Sequence, residues 1–182
     1  MGNQQIVMLA GPSQIGKSAV IKELVDRFNW SFITTYTTRA PRSEEINGRD
    51  YHFLTQHQFQ QLISANAFVD WDYFLGSYGG IGRRTFYQLS DRPKVLHVLA
   101  RMAIRLEQRS RNAIAIFLAP EDVSLVHARI GKRFADPLVA KARLAHVEEE
   151  MLHAALFRKV VRIDATMSIT DVAGAIQACL MK

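Results

Sequence analysis

The sequence predicts an α/β fold in which a central parallel sheet is flanked by helices. Short runs rich in β-branched residues alternate along the chain with amphipathic helical stretches, which is the pattern typical of a parallel sheet wrapped by helices. The 182 residues, 48% of them hydrophobic, are enough to bury one sizeable core. We therefore expect a single domain over residues 1–182.

The alternation can be assigned element by element. The strands of the central sheet are predicted at residues 5–10, 31–35, 94–99, 113–118 and 159–163. The helices are predicted at residues 17–28, 100–111, 121–132, 140–157 and 169–181. In the helix at 140–157, apolar side chains recur at three- and four-residue steps and predict one buried face, formed by Leu144, Val147, Met151 and Ala154.

Residues 36–91 interrupt this alternation and predict an inserted lobe, which leaves 1–35 and 92–182 as the core. Within the lobe we expect a short strand at 51–54 and a helix that Thr55 opens as its N-cap. A glycine-rich stretch follows at 76–82, and a second, short insertion is expected at 133–139.

Charge and cysteine usage bound the partners and the compartment. The 23 Lys and Arg against 17 Asp and Glu give a net charge of +6, which favours anionic partners. No nucleic-acid-binding motif is recognisable, so we expect no nucleic acid. The single cysteine, Cys179, suggests a reducing, cytoplasmic setting. The chain shows neither a basic leader nor an apolar run of membrane-spanning length, so we expect no export and no membrane partner.

The most specific motif follows the first predicted strand. Residues 11–18, GPSQIGKS, match the phosphate-binding P-loop pattern G-x-x-x-x-G-K-[ST], between an apolar strand and an amphipathic helix. The glycines let backbone N–H groups surround phosphate oxygens, Lys17 would reach the β- and γ-phosphates, and the Ser18 hydroxyl would bind Mg²⁺. We expect ATP and Mg²⁺ as cofactors, with ATP contacts from Gly11, Ser13, Gln14, Ile15, Gly16, Lys17, Ser18 and Ala19.

Downstream motifs make the prediction more specific. TYTTRAPR at 35–42, NGRDYHF at 47–53 and FVDW at 68–71, together with the Gly-Pro-Ser form of the P-loop, resemble the guanylate kinase family in order and in nearly unbroken spacing. The resemblance implies a P-loop core, a lobe at about 36–91 that binds a nucleoside monophosphate, and a lid at about 133–139. It implies transfer of the γ-phosphoryl of ATP to the phosphate of GMP or dGMP, in purine nucleotide metabolism.

The resemblance also implies roles for particular residues. Arg39, Arg42 and Tyr51 match the positions that hold the acceptor's phosphate, and the same site would include Thr35, Asp70 and Tyr78. Lys17, Arg39, Arg133 and Arg143 would form the catalytic set around the transferring group. The interval from Arg133 to Arg143 is one residue shorter than in the family, and Arg129 or Lys132 could replace Arg133. Because a phosphate acceptor is already nearly dianionic, no general base is needed.

The chain departs from the family where the base is read. Asp70 replaces the usual glutamate, and the family's second tyrosine and a hydroxyl residue become Gly79 and Ile81. Two aspartates that usually end the third core strand are replaced by His97 and Leu99. In the family, one of these acids helps to recognise guanine and the other lies near the magnesium shell. The identity of the acceptor is therefore not decided by the resemblance alone.

Two alternatives to a guanylate kinase remain open on the sequence. Gly80-Ile81-Gly82 and Arg101 look faintly like ribose 1,5-bisphosphate phosphokinase, which phosphorylates a sugar bisphosphate. The chain could also be a catalytically weak guanylate kinase-like binding module, although such modules commonly lose the P-loop lysine and this chain keeps Lys17 and Ser18. The sequence is compatible with a monomer or a homodimer.

Overall fold

The computed structural model describes residues 5–180. Within that range the strands are β1 Ile6–Ala10, β2 Ser31–Phe32, β3 Thr35–Thr37, β4 Tyr51–Phe53, β5 Phe68–Phe74, β6 Ser77–Gly82, β7 Lys94–His97, β8 Ala113–Pro120 and β9 Lys159–Ile163. The helices are α1 Lys17–Phe28, α2 Gln56–Ser64, α3 Arg83–Tyr87, α4 Ala100–Arg109, α5 Val123–Arg133, α6 Pro137–His153 and α7 Ile169–Ala178, with a 3₁₀ turn at Ala154–Leu156. In this described range, no helix is long and apolar enough to cross a bilayer.

The chain divides into two compact units. The first consists of residues 1–31 and 92–182, and the second of residues 32–91. The first unit is built on a sheet with strand order β2-β7-β1-β8-β9. Strand β1 pairs in parallel with β7 and β8, and β8 pairs in parallel with β9. Every residue of β1 is buried, as expected for a central strand covered on both faces. The predicted parallel sheet with flanking helices is confirmed.

The second unit contains a sheet with strand order β4-β3-β6-β5. Strand β3 runs parallel to β4 and antiparallel to β6, which in turn is antiparallel to β5. Helix α2 supplies the buried Phe59, whose ring stacks on Phe68 with centroids 4.5 Å apart. Thr55 is the N-cap of α2, as the sequence predicted, and it forms a reciprocal capping box with Gln58.

Several elements differ from the prediction. The strand expected at 31–35 is divided between β2 and β3, which belong to different sheets. Strands β5 and β6 were not predicted. Strand β6 is rich in glycine, and such segments are poor strand formers outside a sheet that imposes extended backbone. Strand β5, FVDWDYF, contains no glycine, and the sequence analysis used its first residues only as a motif. The C-terminal helix ends at Ala178, and the predicted end at Met181 lies outside the described residues.

Helix α6 differs in its start and in its buried face. It begins at Pro137, because Asp136 caps it by accepting hydrogen bonds from the N–H groups of Leu138 and Val139. The connection between α5 and α6 is therefore only residues 134–136, shorter than the lid expected at 133–139. Of the four apolar residues predicted to be buried, only Val147 is, and the other buried residues of α6 are His146 and Glu150.

Candidate functional site

In the first unit, the P-loop joins β1 to α1, and two of its glycines meet constraints that other residues would not. Gly11 has φ +136°, and a Cβ added there would lie 2.4 Å from the Leu118 carbonyl oxygen in β8. Gly16 has φ +105° and is the N-cap of α1. The loop can therefore pass close to β8 and turn into the helix only with glycine at these two positions.

The beginning of α1 suits an anion. No side chain caps the helix, and its first turn carries no acidic residue. Ser18 and Ala19, in that first turn, are exposed. Because the first N–H groups of a helix lack intrahelical partners and carry partial positive charge, this end can bind a phosphate and place the Ser18 hydroxyl beside it.

Lys17 is held against the loop that it follows. Its Nζ donates hydrogen bonds to the carbonyl oxygens of Gly11 at 2.6 Å and Pro12 at 3.0 Å. Although part of the residue stays exposed, burial of the ammonium group lowers the pKa of Lys17 to about 8, and the charge of Glu150 opposes that shift. Lys17 thus lies against the P-loop, and its contact with a phosphate stays a prediction from the motif.

Glu150 is a buried acid of the first unit that the sequence analysis did not single out. Its side chain stands on α6, and the backbone N–H of Ala100 donates to its Oε1 at 3.3 Å. Ala100 begins α4 and directly follows Leu99, one of the two positions where the resemblance to the guanylate kinase family implies an acid. Burial raises the pKa of Glu150, while the charge of Lys17 lowers it. The sequence feature that could have identified Glu150 is its position four residues after His146, because this spacing places the two side chains on one face of the helix.

The candidate catalytic arginines of the first unit lie on α5 and α6. Arg129, on α5, donates from Nη1 to the carbonyl oxygen of Gln14 in the P-loop at 3.2 Å. Arg133 is the last residue of α5, and Arg143 lies on α6 with its guanidinium carbon 5.5 Å from the ring centroid of Phe134. The structure therefore brings Arg129, which the sequence offered only as a substitute for Arg133, into contact with the P-loop.

In the second unit, Arg39 and Arg42 share one carboxylate. Arg39 donates to both oxygens of Glu45, at 2.9 Å from Nη1 and 2.8 Å from Nη2. The Arg42 backbone N–H donates to Glu45 Oε2 at 2.8 Å, and its guanidinium lies 3.4 Å from Oε1. Burial would raise the pKa of Glu45, but these bonds outweigh it and the pKa lies below its ordinary value. Glu45, which the sequence analysis missed, fixes both arginines.

Tyr51 and Thr35 lie beside this arginine pair. Thr35 and Tyr51 are register partners in the parallel pair β3–β4, so their side chains share one face of the sheet. The guanidinium carbon of Arg39 is 5.3 Å from the Tyr51 ring centroid, within cation–π range. Burial raises the pKa of Tyr51, and the charge of Arg39 lowers it. The structure thus brings together three predicted acceptor residues, Thr35, Arg39 and Tyr51, with Arg42 next to them.

The register of β5 and β6 places Asp70 and Tyr78 on opposite faces. Gly79 of β6 is the register partner of Thr37 in β3 and of Asp72 in β5, so these three residues share one face of the sheet. Asp70 lies two residues from Asp72 in the same strand and therefore points to that face as well. Tyr78 instead faces the aromatic cluster on the other side, with its ring centroid 5.1 Å from Phe59. The structure places Asp70 on the Thr35 side of the sheet and Tyr78 on the opposite side, which separates Tyr78 from the other predicted acceptor residues.

Comparison with known proteins gives matches to one family. The family model described as guanylate kinase matches residues 3–178. The guanylate kinase of Synechocystis sp. is 32% identical over 157 residues, which cover 84% of this chain and 82% of that protein. The guanylate kinase of Porphyromonas gingivalis is 32% identical over 187 residues, covering 98% of this chain and 99% of its own.

The crystal structure of guanylate kinase from Anaplasma phagocytophilum has the same fold. It matches with a TM-score of 0.79 over 98% of this chain and 85% of that chain, at 23% sequence identity. At that identity the similarity to the crystal structure concerns the fold alone. The family assignment rests on the match to the family model and on the two relatives.

Proposed function

This chain belongs to the guanylate kinase family and is a nucleoside monophosphate kinase, and from that premise we propose that it phosphorylates GMP or dGMP with ATP. The products would be GDP, or dGDP, and ADP. The main support for this proposal is that the family match includes two separate groups of residues that could bind phosphate. One is the P-loop with Lys17, and the other is the pair Arg39 and Arg42. The sugar-bisphosphate acceptor is not favoured, because the relatives that cover most of the chain are guanylate kinases.

The first unit would bind ATP. The N–H groups at the start of α1 and the Lys17 ammonium would hold the β- and γ-phosphates. Arg143 and Arg133 would offset charge on the transferring phosphoryl group, and Arg129 would support the P-loop through Gln14. These contacts are useful for catalysis because charge moves during the transfer and fixed cations need no rearrangement to meet it.

The second unit would bind the acceptor. Arg39 and Arg42 can present donors to the phosphate of a nucleoside monophosphate, with Tyr51 beside them and Glu45 keeping both guanidinium groups in place. Thr35 and Asp70 offer a hydroxyl and a carboxylate on the same side of the sheet, which suits the N–H donors of guanine. Chemistry then requires that the acceptor oxygen approach the γ-phosphorus in line with the leaving oxygen.

Magnesium is proposed as the accompanying ion. Among residues 5–180, no group of three or more His, Cys, Asp or Glu could hold a metal, so the ion would arrive mainly on the triphosphate, as Mg²⁺ usually does in kinases. The donors present are oxygens, the exposed Ser18 hydroxyl and the buried Glu150 carboxylate, and they fit a hard cation. Bound there, Mg²⁺ would neutralise phosphate charge. The cytoplasmic location and the choice between monomer and homodimer stay predictions.

An acceptor panel tests the proposal. The purified chain, with magnesium and ATP, is assayed for ADP release against GMP, dGMP, AMP, UMP, CMP and ribose 1,5-bisphosphate. We expect release with GMP and dGMP, and its loss in Lys17→Ala. Release only with the sugar bisphosphate would point to the other kinase. Binding of GMP without turnover would indicate a binding module instead of an enzyme.

A further inference from the structure

The end of β7 carries no acid in this chain, although an acid would be expected in a site that binds a magnesium–triphosphate complex. His97 ends the strand, and Leu99 is the N-cap of α4 without a side-chain cap. Magnesium keeps several waters when it binds with a nucleotide, and those waters need oxygen acceptors in the protein. If the proposed function holds, another residue must supply that acceptor.

Glu150 reaches the same place from a different element. Its Oε1 accepts the N–H of Ala100, the residue that directly follows Leu99. The carboxylate of Glu150 therefore lies at the start of α4, beside the residue that follows Leu99. Helix α6 thus supplies a carboxylate at the start of α4, where neither His97 nor Leu99 provides an acid.

The second oxygen of Glu150 is the unusual feature. The residue is only 3% exposed, and among residues 5–180 its Oε2 has no hydrogen-bond partner. A buried carboxylate oxygen without a partner costs free energy, and such a group in a native protein calls for an explanation, of which a catalytic role or a bound ion is one. His146 does not satisfy Glu150, because its Nε2 is 3.7 Å from Oε1, beyond hydrogen-bonding distance.

The surroundings of Glu150 connect it with the P-loop. Lys17 is close enough for its charge to act on Glu150, while its Nζ donates to the carbonyl oxygens of Gly11 and Pro12. The other charged or titratable groups around this part of α6 include four on the helix itself, His146, Glu149, Arg143 and His153. Arg101, on α4, lies 3.8 Å from Glu149. Arg101 is thereby associated with the exposed neighbour of Glu150.

We propose that Glu150 is a positioning residue of the ATP site, whose Oε1 fixes the start of α4 and whose Oε2 accepts a hydrogen bond from water on the magnesium of bound ATP. This inference rests on the proposed function, and it concerns the ATP side alone.

The test compares ATP binding with and without magnesium in Glu150→Gln, measured by calorimetry with no acceptor present. Glutamine keeps the shape and an oxygen for the Ala100 N–H but removes the charge. We expect the gain in ATP affinity on adding magnesium to fall by about tenfold or more, the usual effect of removing an outer-shell partner of a metal. Affinity for magnesium-free ATP should stay unchanged or rise, because a negative charge near the triphosphate is removed. Glu148→Gln, an exposed neighbour on α6, should behave like the wild type.

A rescue variant separates charge from structure. Leu99→Asp in the Glu150→Gln background restores an acid at the end of β7, at an N-cap position that favours aspartate, and should recover the magnesium-dependent gain. If Glu150→Gln is unstable, this double variant carries the test, and a folded double variant without the gain overturns the inference. Equal loss of ATP affinity with and without magnesium in Glu150→Gln, or no loss, also overturns it. A wild-type chain that binds no ATP would contradict the proposed function instead.

Discussion

Arg39 and Glu45 form a two-pronged ion pair, with nitrogen–oxygen distances of 2.9 and 2.8 Å, and the same carboxylate accepts the backbone N–H of Arg42. One acid thus orders both arginines that are proposed to bind the acceptor's phosphate. A guanidinium held in its bound orientation loses less conformational entropy when the phosphate arrives. The proposed acceptor site would therefore be organised before its ligand binds.

Removing Glu45 tests this organisation. Glu45→Ala deletes charge-assisted hydrogen bonds that contribute about 1.5–3 kcal/mol each, so we expect the KM for GMP to rise by about tenfold to a hundredfold. The KM for ATP should not change, and Glu44→Ala, next to it and exposed, should have little effect. Steady-state kinetics measures both constants. A lower KM for GMP in Glu45→Ala would show that Glu45 competes with the phosphate for Arg39.

Arg42 provides a second test of the division between the two phosphate sites. Arg42→Ala should raise the KM for GMP by at least about tenfold, because a charged phosphate contact is lost, while ATP affinity stays within about twofold. Arg49→Ala is the matched control, since Arg49 is exposed and pairs with Asp50 at 2.7 Å. If calorimetry shows that Arg42→Ala abolishes ATP binding, the assignment of donor and acceptor sites is wrong.

The two faces of the second sheet predict different effects for two tyrosines. Tyr51→Phe removes a hydroxyl from the ring beside Arg39, and we expect the KM for GMP to rise by about tenfold. Tyr78→Phe should change it by less than about twofold, because that ring packs against Phe59 on the other face. The pair of variants is measured under identical conditions. An increase in KM for Tyr78→Phe equal to that for Tyr51→Phe would contradict the placement of Tyr78.

His146 predicts a dependence of stability on pH. Burial lowers the pKa of His146 from 6.5 to about 4, while Glu149 opposes the shift and the charges of Lys17 and Arg143 reinforce it. Between pH 6.5 and about pH 4, the unfolded chain therefore binds a proton at this histidine that the folded chain does not bind. Stability from this group is present above pH 6.5 and is lost as the pH falls toward 4, by about 2–3 kcal/mol.

Urea denaturation between pH 7 and pH 4.5 measures that effect. His146→Gln should reduce the decline in the free energy of unfolding, because glutamine takes up no proton. His57→Gln, which replaces an exposed histidine of α2, should leave the decline unchanged. Identical slopes in His146→Gln and the wild type would show that the buried imidazole does not control the acid sensitivity.

Local signals explain which parts of the fold could be predicted from the sequence. The P-loop, the bounds of α1 and the Thr55 cap all depend on residues within a few positions of each other, such as Gly16 before Lys17. These choices follow from local backbone and hydrogen-bonding requirements, so a single sequence contains them. The parallel sheet followed from alternation alone, which needs no knowledge of strand order.

The remaining features depend on contacts between distant segments. Strand β6 is rich in glycine and becomes extended only between β3 and β5, so the face that Tyr78 occupies could not be assigned beforehand. The burial of Glu150 could not be predicted, because an acid on a helix is ordinarily exposed. Its burial follows from its contact with Ala100, fifty positions away. Helix α6 begins at Pro137 and not at residue 140, as the apolar periodicity predicted, because Asp136 caps the helix at the earlier position.

Transfer of label is the most direct test of the function. The wild-type chain is incubated with magnesium, GMP and ATP labelled with ³²P at the γ position, and the products are separated by chromatography. The account predicts that label appears in GDP and is absent when Lys17→Ala replaces the wild type. Label that remains in ATP, or that appears only as inorganic phosphate, would contradict it.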